Sequence, residues 1–127
     1  MTIAYWCVLL GALSPLMWTS YAKGRGGFRS RDNHNPREFL DGLSGAQKRA
    51  HWAQLNGFEA FPPFAAAVII ASHVGKVEQG TLDALAIAWV VCRFAYGVLY
   101  ITDRATLRSV AWFTAVACWV TMFVRSA

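Results

Sequence analysis

Residues 56–71 of the chain read NGFEAFPPFAAAVIIA, and in this stretch a single carboxylate, Glu59, precedes twelve residues without a charge. An uncharged apolar run of this kind is typical of a membrane-spanning helix. An ionised side chain near the centre of a bilayer costs roughly 2.5–3.5 kcal/mol, so such a residue is usually paired or functional. Pro62 and Pro63 cannot donate backbone hydrogen bonds and leave the carbonyls of Phe58 and Glu59 free. The stretch therefore indicates a membrane-spanning helix that carries a carboxylate and two free backbone carbonyls.

The composition of the chain indicates that lipid is part of its solvent. Hydrophobic residues make up 56% of the 127 residues, and charged residues make up only 15%. A soluble domain of this length has too little interior to bury so much apolar side chain. The six tryptophans are expected mainly as lipid-facing or interfacial anchors. Cys7, Cys92 and Cys118 lie in apolar runs without CxxC spacing, so neither a disulfide framework nor a metal site is expected.

Apolar runs separated by polar loops define the predicted spans. The first 22 residues carry no charge, which favours a spanning helix over a signal peptide because no basic residue precedes the apolar run. Pro15 removes the helical donor to the Gly11 carbonyl, so a mild kink is expected. The sequence predicts an all-α membrane protein, a four-transmembrane-helix bundle in a single domain, 1–127. Its helices are expected at about residues 2–22, 46–74, 82–101 and 108–125, with a cytoplasmic loop at 23–45.

The basic residues predict how these helices are oriented. The loops on one side hold nine of the twelve Lys and Arg residues, whereas the opposite side holds Lys76 and Arg125. The positive-inside rule places the first and third loops in the cytoplasm and both chain termini outside. Because the net charge of +5 is concentrated in these loops, nucleic acid is not expected as a partner.

Two predicted helices each carry a polar stripe, and both stripes reach the cytoplasmic half of the membrane. On the second helix the stripe consists of Arg49, Asn56 and Glu59, at spacing i, i+7, i+10. On the third helix it consists of Arg93, Tyr96 and Tyr100, at spacing i, i+3, i+7. Arg108 begins the fourth helix at the same end. We therefore expect Arg49, Asn56, Tyr100 and Arg108 to meet in one layer of the cytoplasmic half of the membrane, with Glu59 and Arg93 somewhat deeper.

The spacing alone leaves two interpretations of the stripes open. In the first, Glu59 and Arg93 form a structural ion pair between helices, and the protein is a non-enzymatic membrane scaffold. In the second, the surplus of Arg and Tyr donors over one carboxylate holds a polar, anionic ligand. A third class, the small four-helix exporters, is disfavoured because the first predicted helix has no acidic residue.

Several segments resemble the MAPEG family, the membrane-associated proteins in eicosanoid and glutathione metabolism. The second predicted helix, RAHWAQLNGFEAFPPFAAAVIIA at 49–71, is similar to the family pattern of an Arg–Ala pair, Asn-x-x-Glu and a following proline. R-x-x-Y-x-x-x-Y at 93–100 and LRSV at 107–110 add to the resemblance. DNHNPRE at 32–38 is similar to a loop of bacterial members, which implies the bacterial inner membrane as location.

The resemblance implies a homotrimer that binds glutathione, as a cosubstrate, between neighbouring subunits. Family members include glutathione transferases and peroxidases, leukotriene synthases and prostaglandin E synthase. A transferase or peroxidase acting on hydrophobic small-molecule electrophiles is therefore implied. Carried over by position, the glutathione-binding residues would be Arg49, Asn56 and Glu59 of one subunit and Arg93, Tyr96 and Tyr100 of the next. Arg108, also from the neighbour, would be the catalytic residue that activates the thiol.

Two positions depart from the family pattern. Trp52 stands where eicosanoid-producing relatives often carry a second Arg, which leaves the identity of the lipophilic substrate open. The spacing from Tyr100 to Arg108 is one residue off relative to some members. Arg104 is therefore the alternative activating residue.

Overall fold

Four long helices and one short helix build the fold, and the computed structural model describes all of residues 1–127. The helices are α1 Ile3–Gly26, α2 Pro36–Asp41, α3 Gly45–Val74, α4 Gln79–Ile101 and α5 Ala105–Ser126. A 3-10 turn at Ser30–His34 precedes α2, and the chain contains no strand.

The four long helices are each long and apolar enough to cross a membrane. They contain between 22 and 30 residues, and a span needs about 20. Their outer faces carry large apolar side chains that are about half exposed, among them Leu13, Val91 and Val110. Such a surface is unfavourable in water and matches acyl chains, so the protein is an integral membrane protein. The predicted fold class, an all-α four-helix membrane bundle, is confirmed.

The helices begin and end up to four residues away from the predicted positions. α1 continues four residues beyond the predicted end at 22, because the chain turns only at Gly27, whose φ of 76° favours glycine. Lys23 and Arg25 thus occupy the last turn of α1, where the partial negative charge of the helix end stabilises cations. α4 and α5 each begin three residues earlier than predicted.

α3 and α4 form an antiparallel pair in the middle of the bundle, joined by the four residues 75–78. α1 packs on one side of this pair and α5 packs on the other. In the core, the Phe64 ring of α3 stacks on the Trp89 indole of α4, with ring centroids 3.8 Å apart and planes inclined by 2°. Much of the surrounding core consists of alanine, which lets the helix backbones approach closely.

Two glycines allow α1 to pack against its neighbours. A Cβ on Gly57 of α3 would lie 2.8 Å from the Pro15 ring of α1, and a Cβ on Gly11 of α1 would lie 2.8 Å from the Trp89 indole. Both positions therefore accept a ring of the adjacent helix only because they lack a side chain. The Ser14 hydroxyl donates to the Gly11 carbonyl at 3.2 Å, which satisfies the group that Pro15 leaves without a backbone donor.

Candidate functional site

The centre of the candidate site is Asn56, whose amide joins the polar residues of α3 and α4. Arg93 Nη2 donates to Asn56 Oδ1 at 2.9 Å, and Asn56 Nδ2 donates to Glu59 Oε2 at 3.4 Å. Arg93 is only 5% exposed, whereas Glu59 is exposed. The amide therefore links a buried cation to an exposed carboxylate.

The direct Glu59–Arg93 ion pair considered from the sequence is not formed. The ion pairs of the chain involve other residues, and the Asn56 amide bridges Arg93 to Glu59 instead. Glu59 lies almost one helical turn beyond Asn56 on an open side of α3, so the amide reaches the guanidinium first. Arg93 Nη1 is buried without a hydrogen-bond partner.

Two tyrosine rings connect Arg93 to Arg108. The Arg93 guanidinium lies over the Tyr96 ring at 4.3 Å, and the Arg108 guanidinium lies over the Tyr100 ring at 4.2 Å. The tyrosine rings meet edge to face, with centroids 5.6 Å apart and planes inclined by 81°. We refer to these four residues as the arginine–tyrosine stack. It extends from the interior of α4 to the first turns of α5.

Three cavities open beside the stack. The carboxylate cavity, about 370 Å³, is lined by Trp52, Leu55, Asn56, Glu59, Tyr96 and Tyr100. The arginine cavity, about 220 Å³, is lined by Tyr96, Arg108, Ser109, Trp112 and Phe113. The tryptophan cavity, about 190 Å³, is lined by Asn56, Glu59, Ala60, Pro63, Trp112, Val116 and Trp119.

Shared walls make the three cavities neighbours. Tyr96 belongs to the carboxylate and arginine cavities, Trp112 to the arginine and tryptophan cavities, and Glu59 to the carboxylate and tryptophan cavities. A carboxylate, an amide and a guanidinium are thus arranged around tyrosine rings, with indole and aliphatic walls beside them. This arrangement can hold a charged molecule next to an apolar one.

Most of the predicted site residues come together within one chain. The implied division of the ligand contacts between neighbouring subunits stays a prediction, although Asn56 and Arg93 of one chain are hydrogen-bonded to each other. The short connection 75–78 explains this, since it makes α3 and α4 adjacent antiparallel helices. Arg93 is only 5% exposed and lines none of the three cavities, and it contacts Asn56 and Tyr96, which do line them.

Arg49 is the predicted site residue that lies apart from the cavities. Its Nε donates to the Ile101 carbonyl at 3.1 Å, at the C-terminal end of α4. A cation is stabilised there by the free carbonyls of the helix end. Arg104, the alternative to Arg108, is exposed in the turn before α5 and lines none of the three cavities.

Leu55 was not predicted to line the candidate site, and the tryptophans were expected mainly against lipid, although Trp52, Trp112 and Trp119 line cavities. A signal for Trp52 and Leu55 was present. The α3 residues of the carboxylate cavity are spaced i, i+3, i+4 and i+7, the pattern of one helix face.

A larger cavity, about 570 Å³, lies in the loop region between the end of α1 and α2. Its charged groups, Arg31, Asp32 and Glu38, are of both signs, and it shares no residue with the arginine–tyrosine stack. No three His, Cys, Asp or Glu side chains lie together in the chain in a way that could hold a metal ion. The candidate site is therefore the group of three cavities.

Comparison with known proteins gives one match. A family model described as the MAPEG family matches residues 3–127, which includes the four long helices and every residue of the three cavities. No curated protein and no solved structure matches the chain.

Proposed function

Because the chain belongs to the MAPEG family of four-helix membrane proteins, we propose that it is a glutathione-dependent transferase or peroxidase acting on lipophilic electrophiles. The family includes glutathione transferases and peroxidases. The observation that carries the proposal is the Arg108 guanidinium, which lines a cavity while making no ion pair within the chain. Asn56 and Glu59 line the adjoining cavity. A cation free to bind an anion thus stands beside groups that bind amines and amides.

The charges of glutathione fit this arrangement. Glutathione carries two carboxylates, one ammonium group and a thiol. The Glu59 carboxylate is suited to the ammonium group, and the Asn56 amide is suited to hydrogen bonds with the peptide. Arg108 is suited to an anion, because a guanidinium has five N–H groups and stays charged. Arg49 lies outside the three cavities, and its donors that are not used at Ile101 would serve a carboxylate that extends beyond them.

Arg108 is the residue that supplies the chemistry. The thiolate is the nucleophile, and a thiol with an ordinary pKa of about 8.5 is mostly protonated at neutral pH unless a cation stabilises the anion. In a transferase, the thiolate sulfur forms a bond to an electrophilic carbon, and the leaving group departs with the electron pair. In a peroxidase, the sulfur attacks a peroxide oxygen, an alcohol is released, and a second glutathione converts the sulfenic acid to a disulfide and water.

The apolar walls suit the second substrate. The tryptophan cavity adjoins both the Asn56–Glu59 pair and the arginine cavity, and it is walled by Pro63, Val116 and two indoles. A lipophilic electrophile that reaches this cavity from the bilayer would lie next to the thiolate.

The exposure of Glu59 supports assembly. Glu59 lies near the middle of the 30-residue α3, where a carboxylate facing acyl chains would cost roughly 2.5–3.5 kcal/mol. A neighbouring subunit and a bound ligand would remove that exposure. We propose the homotrimer implied by the family resemblance, in the bacterial inner membrane. The distribution of basic residues favours a cytoplasmic location for the loops 27–44 and 102–104, with both termini outside.

Titration of the detergent-purified protein with glutathione tests the proposal. Calorimetry is expected to detect binding, and ultraviolet absorbance is expected to show thiolate formation on mixing. S-Methylglutathione, which has the same charged groups but no ionisable thiol, should bind without the absorbance change. No binding at millimolar glutathione would refute the proposal and favour the non-enzymatic scaffold, with Asn56 as the bridge between Glu59 and Arg93.

Glu59→Gln is expected to weaken glutathione binding by about tenfold or more, because a hydrogen bond to a charged group is worth about 1.5–3 kcal/mol. Calorimetry measures the change in Kd. Glu78→Gln is the matched control, since it removes the same charge just before α4, at the opposite end from the cavities. Equal glutathione affinities of wild type and Glu59→Gln would show that Glu59 does not bind the ammonium group.

A further inference from the structure

The Arg108 side chain is held in place by a ring. Its guanidinium lies 4.2 Å from the Tyr100 centroid, and it takes part in no hydrogen bond or ion pair of the chain. Arg49 and Arg93, by contrast, each donate a hydrogen bond to a partner in the chain. A guanidinium that rests on a ring keeps its N–H donors free, because they lie in its own plane. The donors of Arg108 are therefore available to a ligand in the arginine cavity.

The Tyr100 ring is itself braced by two neighbouring rings. Tyr96 meets it edge to face, and the Trp52 indole lies against it with centroids 6.3 Å apart. Tyr96 is only 6% exposed and carries the Arg93 guanidinium over its face. Arg93 is fixed in turn by Asn56. A continuous series of contacts thus runs from the hydrogen-bonded interior of α3 and α4 to the ring beneath Arg108.

We infer that Tyr100 is a positioning residue for the reaction, and that its ring places the Arg108 guanidinium at the glutathione thiol. The inference rests on the proposed function. It differs from the role implied by the family resemblance, in which the tyrosine binds glutathione directly. Within the chain the ring has partners on both sides, Arg108 and Tyr96, so loss of the ring affects Arg108 while loss of the hydroxyl does not.

Tyr100→Phe and Tyr100→Leu separate the ring from the hydroxyl. Tyr100→Phe keeps the ring and should form as much bound thiolate as wild type at neutral pH. Tyr100→Leu should form about threefold to thirtyfold less, the range expected for loss of a cation–ring contact. The midpoint of the thiolate titration of bound glutathione should rise in Tyr100→Leu alone, while the Kd for S-methylglutathione changes less than the thiolate yield. Low thiolate in Tyr100→Phe would assign the role to the hydroxyl and overturn the inference, as would a wild-type yield in Tyr100→Leu.

A second measurement needs no glutathione. Phenylglyoxal modifies accessible guanidinium groups, and mass spectrometry of peptides reports the rates at Arg108 and Arg104 separately. Arg108 should react faster in Tyr100→Leu than in wild type and Tyr100→Phe, while the exposed Arg104 reacts equally in all three. Failure of the proposed function appears as absent glutathione binding in wild type. Failure of the inference appears as an Arg108 modification rate that is the same in all three proteins.

Discussion

Arg108→Ala is expected to lower glutathione-dependent turnover by roughly 10²–10³-fold at neutral pH, the loss found when one donor that stabilises a developing charge is removed. Arg108 is the one cationic residue that lines any of the three cavities. Arg93 is buried behind Asn56, and Arg49 is bound to the end of α4. No neighbouring cation is therefore placed to take over the role.

This loss has two parts that depend differently on pH. A thiol with a pKa of about 8.5 is only about 3% ionised at pH 7, so the loss of thiolate accounts for at most about thirtyfold. The remainder is lost stabilisation of charge that develops on the electrophile. As the pH rises through about 8.5, the thiol ionises without help, so the deficit of Arg108→Ala should shrink toward the second part. Conjugation rates measured from neutral to alkaline pH give both parts.

Arg104→Ala is the matched control for Arg108→Ala. It removes a cation four residues away that is exposed and lines none of the three cavities, so its turnover should stay within about twofold of wild type. An equal loss in both variants would move the activating role to Arg104 or to the charge of the whole loop. A deficit in Arg108→Ala that does not change with pH would separate Arg108 from thiol ionisation.

The four-helix fold was predictable because the solvent imposes it. In a bilayer every backbone polar group must be satisfied within the segment, so four apolar runs of sufficient length permit little besides four helices. The ends were less predictable, because they depend on local events. α1 crosses two basic residues before Gly27 turns the chain, and hydropathy alone ends the helix too early.

The location of the candidate site was predictable from the sequence, but the contacts among its side chains were not. The spacing of the polar stripes correctly placed Asn56, Glu59, Tyr96 and Tyr100 on facing sides of two helices. It could not show that Asn56 rather than Glu59 contacts Arg93, because a difference of about one turn in depth decides which side chain is reached first. The Arg49 side chain points toward the Ile101 carbonyl because α4 ends there, and the spacing of the stripes does not predict where α4 ends.

The glycine contacts of α1 were also outside the reach of sequence patterns. Periodicity shows that Gly57 and Gly97 lie within helices, but not which ring is packed against each of them. Pro15 packs on Gly57 and the Trp18 indole packs on Gly97, so the partner is set by the register between α1 and its neighbours. Gly57 directly follows Asn56 and Gly97 directly follows Tyr96, and both of these neighbours line the carboxylate cavity. The position of α1 against α3 and α4 therefore affects the geometry of the candidate site.

Gly97→Val is expected to lower the free energy of unfolding by about 1–3 kcal/mol, the usual cost of overpacking a filled interface. A Cβ on Gly97 would overlap the Trp18 indole, and the overlap involves the rigid body of the ring rather than a flexible tip. Trp18 also contacts Phe94 edge to face at 6.3 Å, which limits its escape. The helices must therefore separate. Thermal unfolding in detergent, followed by circular dichroism, measures the loss.

Two further variants test whether the overlap with Trp18 is the cause. Gly24→Val introduces the same side chain at another helical glycine, where a Cβ meets nothing within 4 Å, and should change stability by no more than about 0.5 kcal/mol. In the double variant Trp18→Ala with Gly97→Val, the valine enters the space that the indole leaves, so the combined loss should be smaller than the sum of the single losses. If the losses of the two single variants are strictly additive in the double variant, the destabilisation by Gly97→Val arises from the α4 backbone and not from the overlap with Trp18. The non-additive result would show that a single indole fixes how closely α1 approaches the helix that carries Tyr96 and Tyr100.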